Sequence, residues 1–203
     1  MPAKQTDEEA AARRIAILDA VGPVFASRGY AGTTVADLEA ATGLSRGGIF
    51  FHFGHKRRLY LETVRRAFER FGMAVAGVEL PGGDTRQILI GSYDVMTTVR
   101  ETHGEFFQLM NQLVAQRATE PDLAELHSEL DAVTYRYYGE LIKARQAEGS
   151  LNPELDADAI AHAFGGFFEE LAEYRLNHGA EETRALAERM FEVLARGAEP
   201  RGD

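Results

Sequence analysis

The stretch TTVADLEAATGLSRGGIFFHFGHK, residues 33–56, decides how the chain is read. Thr34 precedes Val35-Ala36-Asp37, a spacing at which hydroxyl and carboxylate satisfy each other's free backbone donors at a helix start. Val35, Leu38 and Ala41 give that helix one apolar side, and Gly43 suits the left-handed residue that ends it. Leu44 can drop beneath the turn, and Ser45 caps a second helix at once. Two short helices joined by a tight glycine-containing turn form a helix-turn-helix, whose second member enters the major groove of DNA. That second helix opens Arg46-Gly47-Gly48, and each glycine costs about 1 kcal/mol relative to alanine in a helix interior. Small residues instead let the backbone approach another molecule closely, and Arg46 adds a planar cation suited to phosphate oxygens or a guanine edge.

Working outward, Phe50-Phe51-His52-Phe53-Gly54-His55 leads into Lys56-Arg57-Arg58 at the start of a further helix. Three cations in a first turn oppose the helix dipole, a cost of up to about 1 kcal/mol each, which a bound phosphate would offset. The interface predicted from these residues comprises Ser45, Arg46, Gly47, Gly48, Phe51, Lys56 and Arg57.

The whole chain sets the bounds. Its 203 residues, 45% hydrophobic and 27% charged, suit a globular protein of one large or two small domains. With no cysteine there is no disulfide, thiolate metal site or cysteine nucleophile. The N-terminal MPAKQTDEEAAARR lacks the apolar run of a secretory signal and no segment is long enough to span a membrane, so the expected location is the cytoplasm. The net charge of −10 is unevenly spread. Residues 1–70 carry 11 Lys/Arg against 8 Asp/Glu, whereas residues 71–203 carry 11 against 24, a basic head on an acidic body.

Everything else reads as helix. Ile15, Leu18, Val21, Val24 and Phe25 space a first helix over 8–28, with Pro23 expected to kink it or shift its register. A helix from Lys56 crosses the change of charge, and Leu80-Pro81-Gly82-Gly83-Asp84 is the clearest break. Further helices are predicted over 85–102, 105–119, 122–146, 156–177 and 180–196, giving an all-α chain of about nine helices with no strand. The expected organisation is a reading head at 1–55, a connecting helix at 56–80, and an effector-binding and dimerising domain at 81–203. Within the last two helices, Phe164, Phe167, Phe168, Leu171, Leu186, Met190 and Leu194 are the expected dimer face, with Gly165-Gly166 permitting close approach of a partner helix. A dimer would place two heads about one turn of DNA, ~34 Å, or a multiple of it, apart.

GYAGTTVADLEAATGLSRGGIFFHFGHKRRLY, residues 29–60, resembles the DNA-binding segment of the TetR family of transcriptional repressors, with matched spacing over about residues 15–59. Gly29-Tyr30, Thr33-Thr34-Val35, Gly43, Ser45, Gly47, Phe53 and Lys56 carry the resemblance. It implies an all-helical homodimer with an N-terminal head, a palindromic double-stranded operator and release by a small-molecule effector; Thr34, Arg46, His52 and Lys56 would be DNA contacts. The wording of residues 45–54 is similar to an actinobacterial aconitase-repressor branch. The chain departs from the family pattern at Phe50, where tyrosine is frequent, at Gly54-His55, where a capping residue is usual, and at Arg57, where glutamate is common.

Candidate effector residues are Tyr93, Met96, Phe107, Met110, Asn111, Val114, Arg117, Tyr138 and His162, apolar or aromatic positions interleaved with a few polar groups. Among the rival classes, an enzyme has little support: the histidines show no His-Glu-x-x-His, and no phosphate loop or Gly-x-Ser-x-Gly elbow occurs. No cofactor or metal is expected. The other rival is a helical adaptor that binds proteins through the Phe164 region and never touches DNA.

Overall fold

The computed structural model describes residues 7–76, 78 and 82–198. In chain order the helices are α1 (Asp7–Gly32), α2 (Val35–Thr42), α3 (Arg46–Phe53), α4 (Lys56–Ala76), α5 (Thr85–Thr102), α6 (Gly104–Gln116), α7 (Pro121–Ala147) and α8 (Ala157–Ala198). α8 breaks at Gly179 (φ 78°, ψ 175°) into two arms, so the described residues form nine helices and no strand. Of the predicted break at 80–84, Leu80 and Pro81 lie outside the described residues. The last part of the predicted connecting helix, residues 77, 79 and 80, also lies outside them.

One compact unit is made of Met1–Gly77 with Arg100–Leu130. Its core joins Ile17, Leu18, Val21 and Phe25 of α1 to Leu38, to Ile49 and Phe53 of α3, and to Leu59, Tyr60 and Val64 of α4. Phe106, Leu109 and Leu113 of α6 and Leu123, Leu126 and Leu130 of α7 complete it. Packing therefore groups residues 100–130 with the N-terminal helices.

The expected distortion at Pro23 is not where α1 breaks. Pro23 is exposed and the backbone leaves helical angles only at Gly29 (φ 70°, ψ 172°), a left-handed value that favours glycine. The freed end of α1 is tied twice: Thr33 Oγ1 donates to the Gly29 carbonyl at 2.7 Å, and Gln112 Nε2 of α6 donates to the Ala26 carbonyl at 2.7 Å. Beside this joint, the Tyr60 ring is wholly buried against Phe25 and Tyr30, at 5.1 and 5.3 Å between centroids. Its hydroxyl is buried without a hydrogen-bond partner, and burial raises its pKa. A buried hydroxyl left unbonded is a liability of about 1–3 kcal/mol. Tyr60→Phe is accordingly expected to leave the melting temperature unchanged or raise it; a clear fall would reveal a partner for the hydroxyl.

The other unit comprises Val78–Val99 and Asp131–Asp203. Leu89 and Tyr93 of α5 pack with Leu171, Ala187, Phe191 and Ala195 of the two α8 arms. Arg184–Asp94 and Arg86–Glu192 ion pairs flank that core, the latter at 3.2 Å. A smaller cluster around Ile142 and Leu151 closes the turn between α7 and α8, where Thr85 Oγ1 donates to the Ser150 carbonyl at 3.0 Å.

Candidate nucleic-acid interface

The local signals in residues 33–56 form as expected. Thr34 is extended (φ −94°, ψ 164°) and accepts from the Asp37 amide at 3.2 Å, while the Thr34 amide donates to Asp37 Oδ2 at 2.8 Å. The Thr34 hydroxyl also donates to that carboxylate at 2.7 Å. These bonds, the backbone one first, hold the Asp37 carboxyl below the usual carboxylate range. Gly43 takes the left-handed conformation (φ 67°, ψ 11°) and its N–H closes on the Glu39 carbonyl at 2.9 Å. Ser45 Oγ accepts from the Gly48 amide at 3.3 Å, and Glu39 Oε1 accepts from the Arg46 amide at 2.6 Å.

α3 buries Ile49 and Phe53 completely and turns the other side outward. Arg46 and Gly47 are exposed, and Phe51 is 83% exposed, an unusual place for a phenylalanine. Nothing inside the chain asks for the glycines. A Cβ on Gly47 would meet only Ser45 Oγ at 4.0 Å, and one on Gly48 would make ordinary contacts at 3.6 Å with Leu44 and Ser45. The Arg46 guanidinium has no ion pair among the described residues. The helix thus exposes a cation at its start, two positions with room for a close approach, and an aromatic ring in its second turn.

The cationic start of α4 differs from expectation. Arg57, assigned by sequence to phosphate, is engaged within the chain: its Nε donates to Asp122 Oδ2 at 2.7 Å, its Nη2 to Glu120 at 3.1 Å, and it lies 4.9 Å from the Tyr30 ring centroid. The Asp122 bond raises its pKa and holds the Asp122 carboxyl low. The anion that the helix dipole called for comes from the start of α7. Arg58 pairs with Glu62 at 2.9 Å. Lys56 keeps its charge half-exposed, 4.5 Å over the Tyr30 ring, with its pKa lowered by desolvation. His55, in place of the usual capping residue, does cap: its Nδ1 accepts from the Arg58 amide at 3.3 Å, which requires that nitrogen unprotonated. Phe50, where a tyrosine hydroxyl could have met phosphate, packs partly buried against the core.

The other predicted residues are placed as follows. Phe107 and Met110 pack against the core of the first unit, while Asn111, Val114 and Arg117 lie on the exposed side of α6. Arg117 Nη1 lies 2.6 Å from His127 Nε2. Tyr93 is core in the second unit, Met96 and Tyr138 are half-buried, and His162 is exposed with its ring 3.8 Å from that of Tyr135. Leu171, expected on a dimer face, is 1% exposed and belongs to the intrachain core. Phe164, Phe168, Leu186, Met190 and Leu194 are partly buried beside that core, and Phe167 is partly exposed. Of the two glycines, Gly165 is occupied by Tyr135, whose ring stands 2.9 Å from where a Cβ would be; Gly166 is open. Among the described residues no helix is long and apolar enough to cross a membrane, and no cluster of metal-ligating side chains occurs.

Residues 17–63 match the family of bacterial regulatory proteins called the tetR family. An HTH-type transcriptional repressor of Mycobacterium tuberculosis is 37% identical over 137 residues, covering 64% of this chain and 67% of its own. The chain belongs to the TetR family. Another TetR relative, the HTH-type transcriptional repressor AcnR of Corynebacterium jeikeium, is 39% identical over 79 residues, or 39% of this chain. That alignment spans 42% of AcnR's length. A TetR-family transcriptional regulator from Cytophaga hutchinsonii shares the fold at TM-score 0.80 and 19% identity, covering 98% of this chain and all of that one.

Proposed function

We propose that this TetR-family chain is a cytoplasmic transcriptional repressor. It binds a palindromic duplex operator as a homodimer and leaves it when a small-molecule effector binds. The observation that carries the reading is α3. Gly47 and Gly48 weaken the helix, no side chain among the described residues would obstruct a Cβ on either, and Arg46 and Phe51 stand exposed before and after them. Such a surface gains only when another backbone comes close to it. Arg46 and Phe51 read base edges, Phe51 by apolar contact of the kind a thymine methyl offers. Thr34, Ser45, His52 and Lys56 position the head on phosphates, and Arg57 acts from behind by fixing the start of α4 to Asp122.

The dimer face uses Phe164, Phe167, Phe168, Leu186, Met190 and Leu194, supported from beneath by Leu171. The effector site draws on the candidates of the second unit, Tyr93, Met96, Tyr138 and His162, and differential affinity of the effector for the operator-bound and free states releases the operator.

Selection from random duplexes with the full chain supplies the operator. Its affinity should then fall steeply as salt rises, because each neutralised phosphate adds about 0.9 to the slope of log K against log salt. Lys56→Ala should weaken operator and scrambled duplex alike and flatten that slope by about one contact. Salt-independent binding, or none, would remove the DNA reading and leave the helical adaptor.

A further inference from the structure

We propose that Arg14 of α1 is a positioning residue for DNA readout: it clasps the C-terminal end of α3 and so fixes where Phe51 meets the base edges and His52 the phosphates. The proposal rests on the reading of α3 as the recognition helix.

The Arg14 guanidinium makes three contacts at once. Nη1 donates to the His52 carbonyl, Nη2 donates to the Glu62 carboxylate on α4, and the guanidinium carbon lies 4.5 Å from the Phe53 ring centroid. The side chain is 32% exposed and Glu62 22%. One planar, permanently charged group therefore joins α1, α3 and α4, which an ammonium cannot do at two bonds and a ring face together.

The need for such a clasp follows from α3 itself. It is 8 residues long and carries two glycines, too short and too weak to hold its own shape. Its first turn is held by Ser45 and Glu39. At its far end, the Phe50 carbonyl is taken by the Gly54 amide at 2.7 Å and the Phe53 carbonyl by the His55 amide at 2.9 Å. The His52 carbonyl receives Arg14, a cation at the end of a helix where the dipole favours one. His52 is one of the residues assigned to DNA, so its backbone is anchored from behind while its ring, half-exposed, lies between those of Phe51 and Phe53. Displacements near 1 Å are enough to spoil directional contacts, whereas attraction to phosphate falls off gently with distance.

The test uses the full-length protein with the selected operator and a scrambled duplex of equal length, titrated over a range of salt. Arg14→Ala should weaken operator binding about tenfold to a hundredfold, leave the scrambled duplex within a few-fold, and keep the salt slope unchanged. Glu62→Gln, which keeps Arg14 but loosens its anchor and also frees Arg58, should lower discrimination by less, with binding to the scrambled duplex rising rather than falling. Equal losses on both duplexes with the slope reduced by about 0.9 would make Arg14 a phosphate contact and overturn the proposal. Unchanged discrimination in folded protein would do the same. Should Arg14→Ala unfold, Arg14→Lys takes its place, since it keeps the charge and loses the fork; full discrimination in that variant refutes the clasp. Failure of the wild-type protein to prefer any duplex is a separate result and falls on the functional reading itself.

Discussion

Phe53→Ala lowers the stability of the unit that carries the reading helices by about 3–5 kcal/mol, the range for truncating a fully buried phenylalanine. Phe53 is fully buried, and it anchors the last turn of α3 into the core shared with α1 and α4. Removing the ring loses its transfer free energy, leaves a cavity and strips the Arg14 guanidinium of the face it covers at 4.5 Å. Urea unfolding followed by circular dichroism measures the change, and operator binding should disappear with it at temperatures where the wild-type protein is intact. A loss under about 1 kcal/mol would mean that α3 is held by something other than its buried side.

Gly47→Ala should separate stability from binding. With 4.0 Å to the nearest side-chain atom, the added methyl meets no obstruction among the described residues, so folding stability stays level or rises by up to about 1 kcal/mol. Operator affinity should nevertheless fall at least tenfold, about 1.4 kcal/mol, because the methyl occupies the space through which the DNA backbone approaches. Thermal melts and duplex titrations on one preparation settle it. Parallel losses in both would return the glycine to a folding role.

What the sequence discloses and what it withholds divide along contact range. The capping pair Thr34 and Asp37, the left-handed Gly43 and the Ser45 cap are set by residues three to four apart, and each forms as its spacing implies. The helix predicted over 85–102 is α5 with the same ends, since apolar periodicity alone defines it. Arg14 reaches His52 and Glu62 across 38 and 48 residues, and Arg57 reaches Glu120 and Asp122 across 63 and 65. No periodicity records such partners, so a paired arginine looked like a free one. The Gly165 notch was legible as a notch, but the sequence reading gave it to a partner helix, whereas Tyr135 of the same chain stands over it. Pro23 misled for a different reason: an exposed proline removes one bond on the solvent side, and the helix continued to the first glycine able to turn it.

The intrachain pairing of Arg57 and Arg58 has a consequence for life on a genome. A head in which two of the three cations of its basic triplet pair with its own carboxylates should attach to the vast excess of unrelated sequence more weakly than one with all three free. The rest of the chain, with 24 acidic against 11 basic residues from position 71 onward, should be repelled by the same polymer. Few molecules would then be held in reserve on bulk DNA. A small cellular pool could keep its target occupied, and could abandon it quickly, because little of that pool must first be freed from elsewhere.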